Sequence, residues 1–169
     1  MKPLFPSLLA SLLLAGATSC SKTDATPQEP FFVQAKKNLF TSWSGKGSGS
    51  FIKSKKEFYI FGLLGDAAYA ESLSLGICLP AYPQLTPVQA LQAHWTAVVG
   101  YDGVGNSYAT EAASLPTIEI TRLDTVAKVV EGRFNATLVR DKHWTSTTSQ
   151  PEIMNFNDGS FRVQYVTYP

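Results

Sequence analysis

Val126-Ala127-Lys128-Val129-Val130-Glu131-Gly132-Arg133-Phe134-Asn135-Ala136-Thr137-Leu138-Val139-Arg140 is the stretch on which the fold turns. Lys128, Val130, Gly132, Phe134, Ala136 and Leu138 fall on one side of an extended chain. Val129, Glu131, Arg133, Asn135 and Thr137 fall on the other. Successive strand side chains point to opposite faces, so this is the pattern of one long strand with one buried face. Gly132, in its middle, marks a bulge or a sharp bend.

The same period of two recurs on either side. Leu73, Leu75, Ile77 and Leu79 alternate with Ser72, Ser74, Gly76 and Cys78, and Ile118 and Ile120 alternate with Thr117, Glu119 and Thr121. Phe161, Val163 and Tyr165 alternate with Ser160, Arg162 and Gln164, directly after the turn signal Asn157-Asp158-Gly159. Glu57 to Leu64 is apolar on both sides, which predicts a central strand covered on both faces. Gly45 to Ser50 and Gly100 to Asn106 read as glycine-rich turns. One short helix is predicted over Thr86 to Ala93, with Thr86 as cap and Pro87 at its first position. The fold class is all-β: an antiparallel β-sandwich or partly open barrel with one short connecting helix.

Composition narrows the classes further. The 169 residues are 44% hydrophobic, 16% charged and 12% aromatic, with a formal net charge of +1. A disordered chain has fewer aromatics and more charge, and a coiled coil is rich in Glu, Lys and Leu. A near-neutral chain has no long-range attraction for nucleic acid or for anionic membrane surfaces. The length suits one domain.

Before that domain lies an address. Lys2 is followed by the uncharged, leucine-rich run Leu4 to Ala17, too short to span a hydrocarbon core of ~30 Å. Ala17-Thr18-Ser19-Cys20 then resembles a bacterial lipobox, in which the cysteine is acylated and becomes the first residue. The expected organisation is a signal over 1–19, a lipidated Cys20 and polar tether over 20–30, and one β-domain over 31–169. Two or more acyl chains make a stable membrane anchor without a transmembrane segment. The tether Ser21 to Pro30 holds two prolines and no aromatic residue, and reaches ~33 Å when fully extended. Ser21 is not acidic, which by analogy favours outer-membrane sorting.

Several short motifs together carry a resemblance. Phe32-Val33-Gln34-Ala35 with Trp43, Ile120-Thr121-Arg122-Leu123-Asp124, Gly132-Arg133-Phe134 and Asp158-Gly159-Ser160-Phe161-Arg162-Val163-Gln164-Tyr165 resemble the spaced pattern of a family of small Bacteroidota lipoproteins of unknown function. The resemblance implies an all-β lipoprotein and brings no catalytic residues.

Candidate chemistry is sparse. His94 and His143 each precede Trp-Thr, and neither has a His, Cys or Asp at tight ligand spacing, so no metal is expected. Cys78 is the one cysteine left after lipidation; it reads as a small hydrophobe, with a nucleophile beside a histidine as the alternative. Gly45 to Ser50 lacks the order of a phosphate loop, and Asp102-Gly103-Val104-Gly105-Asn106 lacks the closing glutamate of a calcium loop. Asn135-Ala136-Thr137 is a glycosylation sequon that falls mid-strand. No cofactor is implied. The aromatics read first as core, while Trp95, Tyr101, Tyr108 and Trp144 are the set that a ligand surface would use. The functional expectation is an envelope lipoprotein that binds a protein, glycan or envelope component and is not an enzyme. A barrel carrying a small hydrophobic ligand is the alternative, and a hydrolase using Cys78 or a serine with His94 or His143 comes third.

Overall fold

A computed structural model describes residues 30–78, 87–100, 103–143 and 151–169, with the backbone alone at 87–89. The signal, Cys20, the tether, Tyr101, Asp102 and Trp144 lie outside the described residues. Ten strands follow one another: β1 (Phe32–Lys37), β2 (Thr41–Ile52), β3 (Glu57–Gly65), β4 (Tyr69–Cys78), β5 (Pro87–Gln89), β6 (Gln92–Val99), β7 (Gly103–Ala109), β8 (Thr117–Asp124), β9 (Val129–Arg140) and β10 (Ile153–Tyr168). They form a single sheet that closes on itself. β2, β3, β4, β6 and β7 pair in antiparallel order, and β7 meets β9 through Tyr108–Arg140 and Ala109–Val139. β9 pairs with β10, and β10 returns to β2. β1 is wedged between β10 and β2; where it stops, Tyr165 to Tyr168 pairs in parallel with Gly49 to Ile52. The result is the expected all-β fold in its barrel form. Closure leaves few free edges.

Burial follows the alternation. Val130, Phe134, Ala136 and Leu138 of β9 are buried, while Arg133 and Asn135 are exposed. Leu73, Leu75 and Ile77 of β4, Ile118 and Ile120 of β8, and Phe161, Val163 and Tyr165 of β10 join them in one core. Trp43 and Phe156 meet edge to face at 5.9 Å, as do Phe58 and Tyr165 at 5.3 Å.

Glycine and phenylalanine lock β9 to β10. Gly132 lies opposite Phe161, and Phe134 lies opposite Gly159. A Cβ on Gly159 would stand 2.5 Å from the Phe134 ring; one on Gly132 would stand 2.5 Å from the Phe161 ring and against the Glu119 carbonyl. Each ring therefore occupies the place of the missing side chain on the other strand. The irregularity expected at Gly132 is present, with its extra residue on β8: Ile120 pairs with Gly132 and Arg122 with Glu131, leaving Thr121 over.

Several expectations are corrected: Val126 to Lys128, expected in the long strand, belong to the turn before β9, and Gly103 to Asn106, expected as a turn, belong to β7. The helix over Thr86 to Ala93 is replaced by β5, a bend at Ala90-Leu91 and the start of β6. Two turns of isolated helix are marginal, whereas Val88 pairs with Ile118, Ala90 N–H donates to the Pro116 carbonyl and Leu91 N–H to that of Gly76. Gly45 to Ser50 is strand interior, not a turn. Cβ atoms at Gly45 and Gly47 would stand 2.7 Å from the backbones of Leu63 and Phe32, so these glycines permit close backbone approach. Asn157-Asp158-Gly159 is a bulge within β10, where Phe156 pairs with Ala136 and Gly159 with Phe134. Asp158 sits at φ 51°, the conformation an Asp-Gly turn also uses. Glu57 to Leu64 is covered on one face only: Phe58 and Ile60 point inward, while Phe61 and Leu63 are exposed.

Gly132→Ala is expected to cost at least ~3 kcal/mol by urea unfolding, because backbone and ring both obstruct the new methyl. Gly159→Ala meets only the ring. Adding Phe134→Leu should recover ~0.5–3 kcal/mol of its loss beyond additivity, and strict additivity would contradict the lock.

Candidate functional site

Two regions concentrate polar chemistry. The first caps one end of the barrel. Glu71 shares the inward phase of Leu73, Leu75 and Ile77 and is 8% exposed. Lys37 follows Val33 and Ala35 on the inner face of β1, and its Nζ donates to Glu71 Oε2 at 2.7 Å. Trp95 Nε1 donates to the same oxygen at 3.2 Å, and Tyr69 Oη donates to Oε1 at 2.9 Å. The Lys37 ammonium also stands 4.2 Å from the centre of the Trp95 ring. Burial and then the bond to Glu71 raise the Tyr69 phenol above its ordinary value. Both oxygens of the buried carboxylate are thus engaged, which is what allows a charge to stay there.

The β1–β2 hairpin rises over this cap. Asn38 and Leu39 have φ of 52° and 70°, the latter a conformation that leucine rarely adopts. Asn38 N–H donates to the Asn155 carbonyl at 2.8 Å, and Asn155 N–H donates to Asn38 Oδ1 at 3.0 Å. The pinned turn leaves Leu39 61% and Phe40 91% exposed.

The second region is a polar groove on the outer wall. It consists of clefts of about 280, 300 and 410 Å³; the 300 Å³ cleft shares Asp158 with the smallest and Arg133 and Ser160 with the largest. The β10 bulge shapes it: Asp158 accepts from Lys36 Nζ at 2.7 Å, and its N–H donates to Asn135 Oδ1 at 3.1 Å. Gln34 Nε2 donates to Ser160 Oγ at 3.1 Å. Ser42 and Ser44 continue the wall, so hydroxyl, amide and charged groups line it together. Such a lining suits a hydroxyl-rich or peptide ligand.

Trp95 and Tyr108, two of the residues considered for a ligand surface, are core residues. They meet edge to face at 5.7 Å and are 3% and 0% exposed. Tyr108 Oη donates to the Pro151 carbonyl at 2.7 Å, and burial raises its phenol. Neither ring presents a face to solvent; their inward phase on β6 and β7 decides this. Tyr101 and Trp144 lie outside the described residues.

His94 does find a hydroxyl, Ser107 Oγ, at 2.8 Å from Nε2. Ser107 was not singled out from sequence, since only the β6–β7 register brings the two together through Thr96. A nucleophile–base pair also needs a group that orients the base. The nearest hydroxyl to the ring besides Ser107 is that of Thr96, a neutral group 3.2 Å from Nδ1 and 3.4 Å from Nε2. Ser107 itself is 2% exposed, closed to a substrate carbonyl. Burial lowers the His94 pKa, against a smaller upward pull from Asp141. Cys78 is exposed and pairs across the sheet with Glu57. Among the described residues no group of three or more His, Cys, Asp or Glu is arranged to hold a metal.

Comparison with family models, with curated proteins and with solved structures gives no match for the chain.

Lys37→Met leaves the Glu71 carboxylate buried without its cation and should cost ~3–5 kcal/mol in urea unfolding. Adding Glu71→Leu should restore only part of this, since Tyr69 Oη and Trp95 Nε1 then lose their acceptor. His94 should titrate below 6.5 by NMR. The unfolded chain then takes up the proton more readily, so its contribution to stability is present above 6.5 and is lost as pH falls below that value. A midpoint at or above 6.5 would remove the burial account.

Proposed function

We propose that the chain is a lipid-anchored envelope protein, held through Cys20, whose barrel is a non-enzymatic binding module. The observation that carries this reading is the order of parts: an apolar run ending in Ala17-Thr18-Ser19-Cys20, a polar tether, and a barrel whose first strand opens at Phe32. The resemblance to small Bacteroidota lipoproteins points the same way, and Ser21 favours the outer membrane. Support for binding comes from the polar groove around Asp158, where a strained residue and several hydrogen-bonding side chains converge. A glycan or an extended segment of an envelope protein fits that chemistry. The packed aromatic interior favours the outer wall over a carrier's enclosed ligand. The shielded Ser107 favours binding over hydrolysis.

Globomycin treatment or Cys20→Ala should abolish lipid labelling and release the protein from the membrane fraction. Membrane association that survives the substitution would defeat the anchor. Photo-crosslinkers at Arg133 should capture a partner that crosslinkers at Phe61, on the opposite wall, do not. Equal capture from both positions would remove the groove from the reading.

A further inference from the structure

Four lysines gather at one end of the barrel. The β2–β3 hairpin, residues 53–56, carries Lys53, Lys55 and Lys56, all exposed. None of them has a carboxylate within 4.0 Å among the described residues, whereas Lys36, Lys37, Arg122, Lys142 and Arg162 each have one. The hairpin is firmly held: Lys56 N–H donates to the Lys53 carbonyl at 3.2 Å, Lys53 N–H to that of Tyr168 at 3.1 Å, and Ser54 Oγ to that of Pro169 at 3.2 Å. The β8–β9 turn adds Lys128 at the same end, where the Lys128 carbonyl accepts from Tyr165 N–H. Two carboxylates, Glu57 and Asp124, stand at this end against the four lysines. Glu57 accepts from Tyr59 Oη at 2.9 Å, and Asp124 accepts from the N–H groups of Ala127 and Val126 at 2.8 and 3.0 Å.

The chain enters the barrel from this side. β1 runs from Phe32 towards the hairpin tip at Leu39 and is antiparallel to β2, which runs down to the lysines. A tether extended back from Phe32 therefore heads for the lysine end without reversing. From Gly47, whose N–H bonds Phe31, to the hairpin is ~20 Å of strand, within the tether's ~33 Å reach.

We infer that the lysine end is a docking surface for anionic phospholipid headgroups. The inference rests on the lipid anchor of the preceding section. Lipidation holds the domain within reach of the surface, so even a weak attraction sets orientation. Each lysine near an anionic surface changes the docked population about fivefold, and salt screens the effect. Docked in this way, the protein carries its apolar tip, Leu39 and Phe40, on the side away from the membrane.

The test uses the full lipidated protein, labelled at Cys78 with a polarity-sensitive fluorophore. Cys78 is exposed and stands opposite Glu57, beside the lysine hairpin. The protein is placed on vesicles of phosphatidylcholine alone or with one third phosphatidylglycerol, each with a headgroup-attached quencher. Flotation with the neutral vesicles must occur in both wild type and variant; its failure overturns the anchor and this inference with it. Given flotation, quenching should be stronger on the anionic vesicles. It should fall to the neutral level in about 0.5 M salt, and in the variant Lys53→Ser, Lys55→Ser and Lys56→Ser. Equal quenching on the two vesicle types, or anionic quenching that persists in the variant, overturns the docking surface and leaves the anchor standing.

Discussion

The contact on which the barrel depends is the reciprocal packing of two Gly-x-Phe segments, Gly132-Arg133-Phe134 and Gly159-Ser160-Phe161, laid antiparallel. Glycine inside a strand is unfavourable by roughly 0.5–1 kcal/mol relative to alanine. Here each glycine lies beneath a phenyl ring from the facing strand, and the two rings stand 6.5 Å apart at a tilt. The arrangement fills the space with ring instead of Cβ and lets the two backbones twist strongly against each other. β9 and β10 can then serve three neighbours in turn. β8 pairs with β9 from Val129 to Asn135, with Thr121 bulging inside the ladder, β7 takes over at Val139-Arg140, and β10 passes from β1 to β2. A shift of register by one residue would set Gly132 against Ser160 or Arg162 and leave each ring facing a side chain instead of a glycine, so the lock also specifies pairing.

With the wall closed, the ends decide what the barrel presents. One end is sealed by the Glu71 carboxylate and its three donors, from β1, β4 and β6. The arrangement requires those strands to stand in one relation to one another, whereas an apolar plug would tolerate several. Beyond the cap, the strained turn at Leu39 holds Leu39 and Phe40 out in solvent. The other end is built from hairpins rich in lysine, with its core sealed by Phe58 and Tyr165.

Much of the wall was legible in the alternation, because a strand with one buried face writes its phase into the sequence. β4, β8, β9 and the end of β10 follow that phase. Glycine was harder to read. A turn, a bulge and a crowded strand crossing all select it, and Gly45, Gly47 and Gly159 needed the neighbouring strands to tell these apart. The short helix failed for a related reason: local capping signals at Pro87 were overruled by hydrogen bonds to Pro116 and Gly76, distant in sequence. Of the polar cap, Glu71 shares the phase of Leu73, Leu75 and Ile77 in the sequence, though nothing there marks it as a site. Its cation, Lys37, lies 34 positions away, and only the closed ring brings it near. Trp95 and Tyr108 were named for chemistry and serve packing, since an aromatic in the inward phase of a small barrel is part of its filling.

A net charge of +1 is the sum of features that do not overlap in space. The composition excludes a long-range field, and that exclusion holds beyond a Debye length of ~10 Å. Within it, only local arrangement counts. Glu71 is cancelled by Lys37, Asp158 by Lys36, and Glu131 is shared between Arg122 and Arg162. Lys53, Lys55 and Lys56 have no such partner among the described residues and share a single hairpin. A nearly neutral protein can therefore carry a local surface charge, because the register that brings acids to some of its cations leaves three others together on one hairpin.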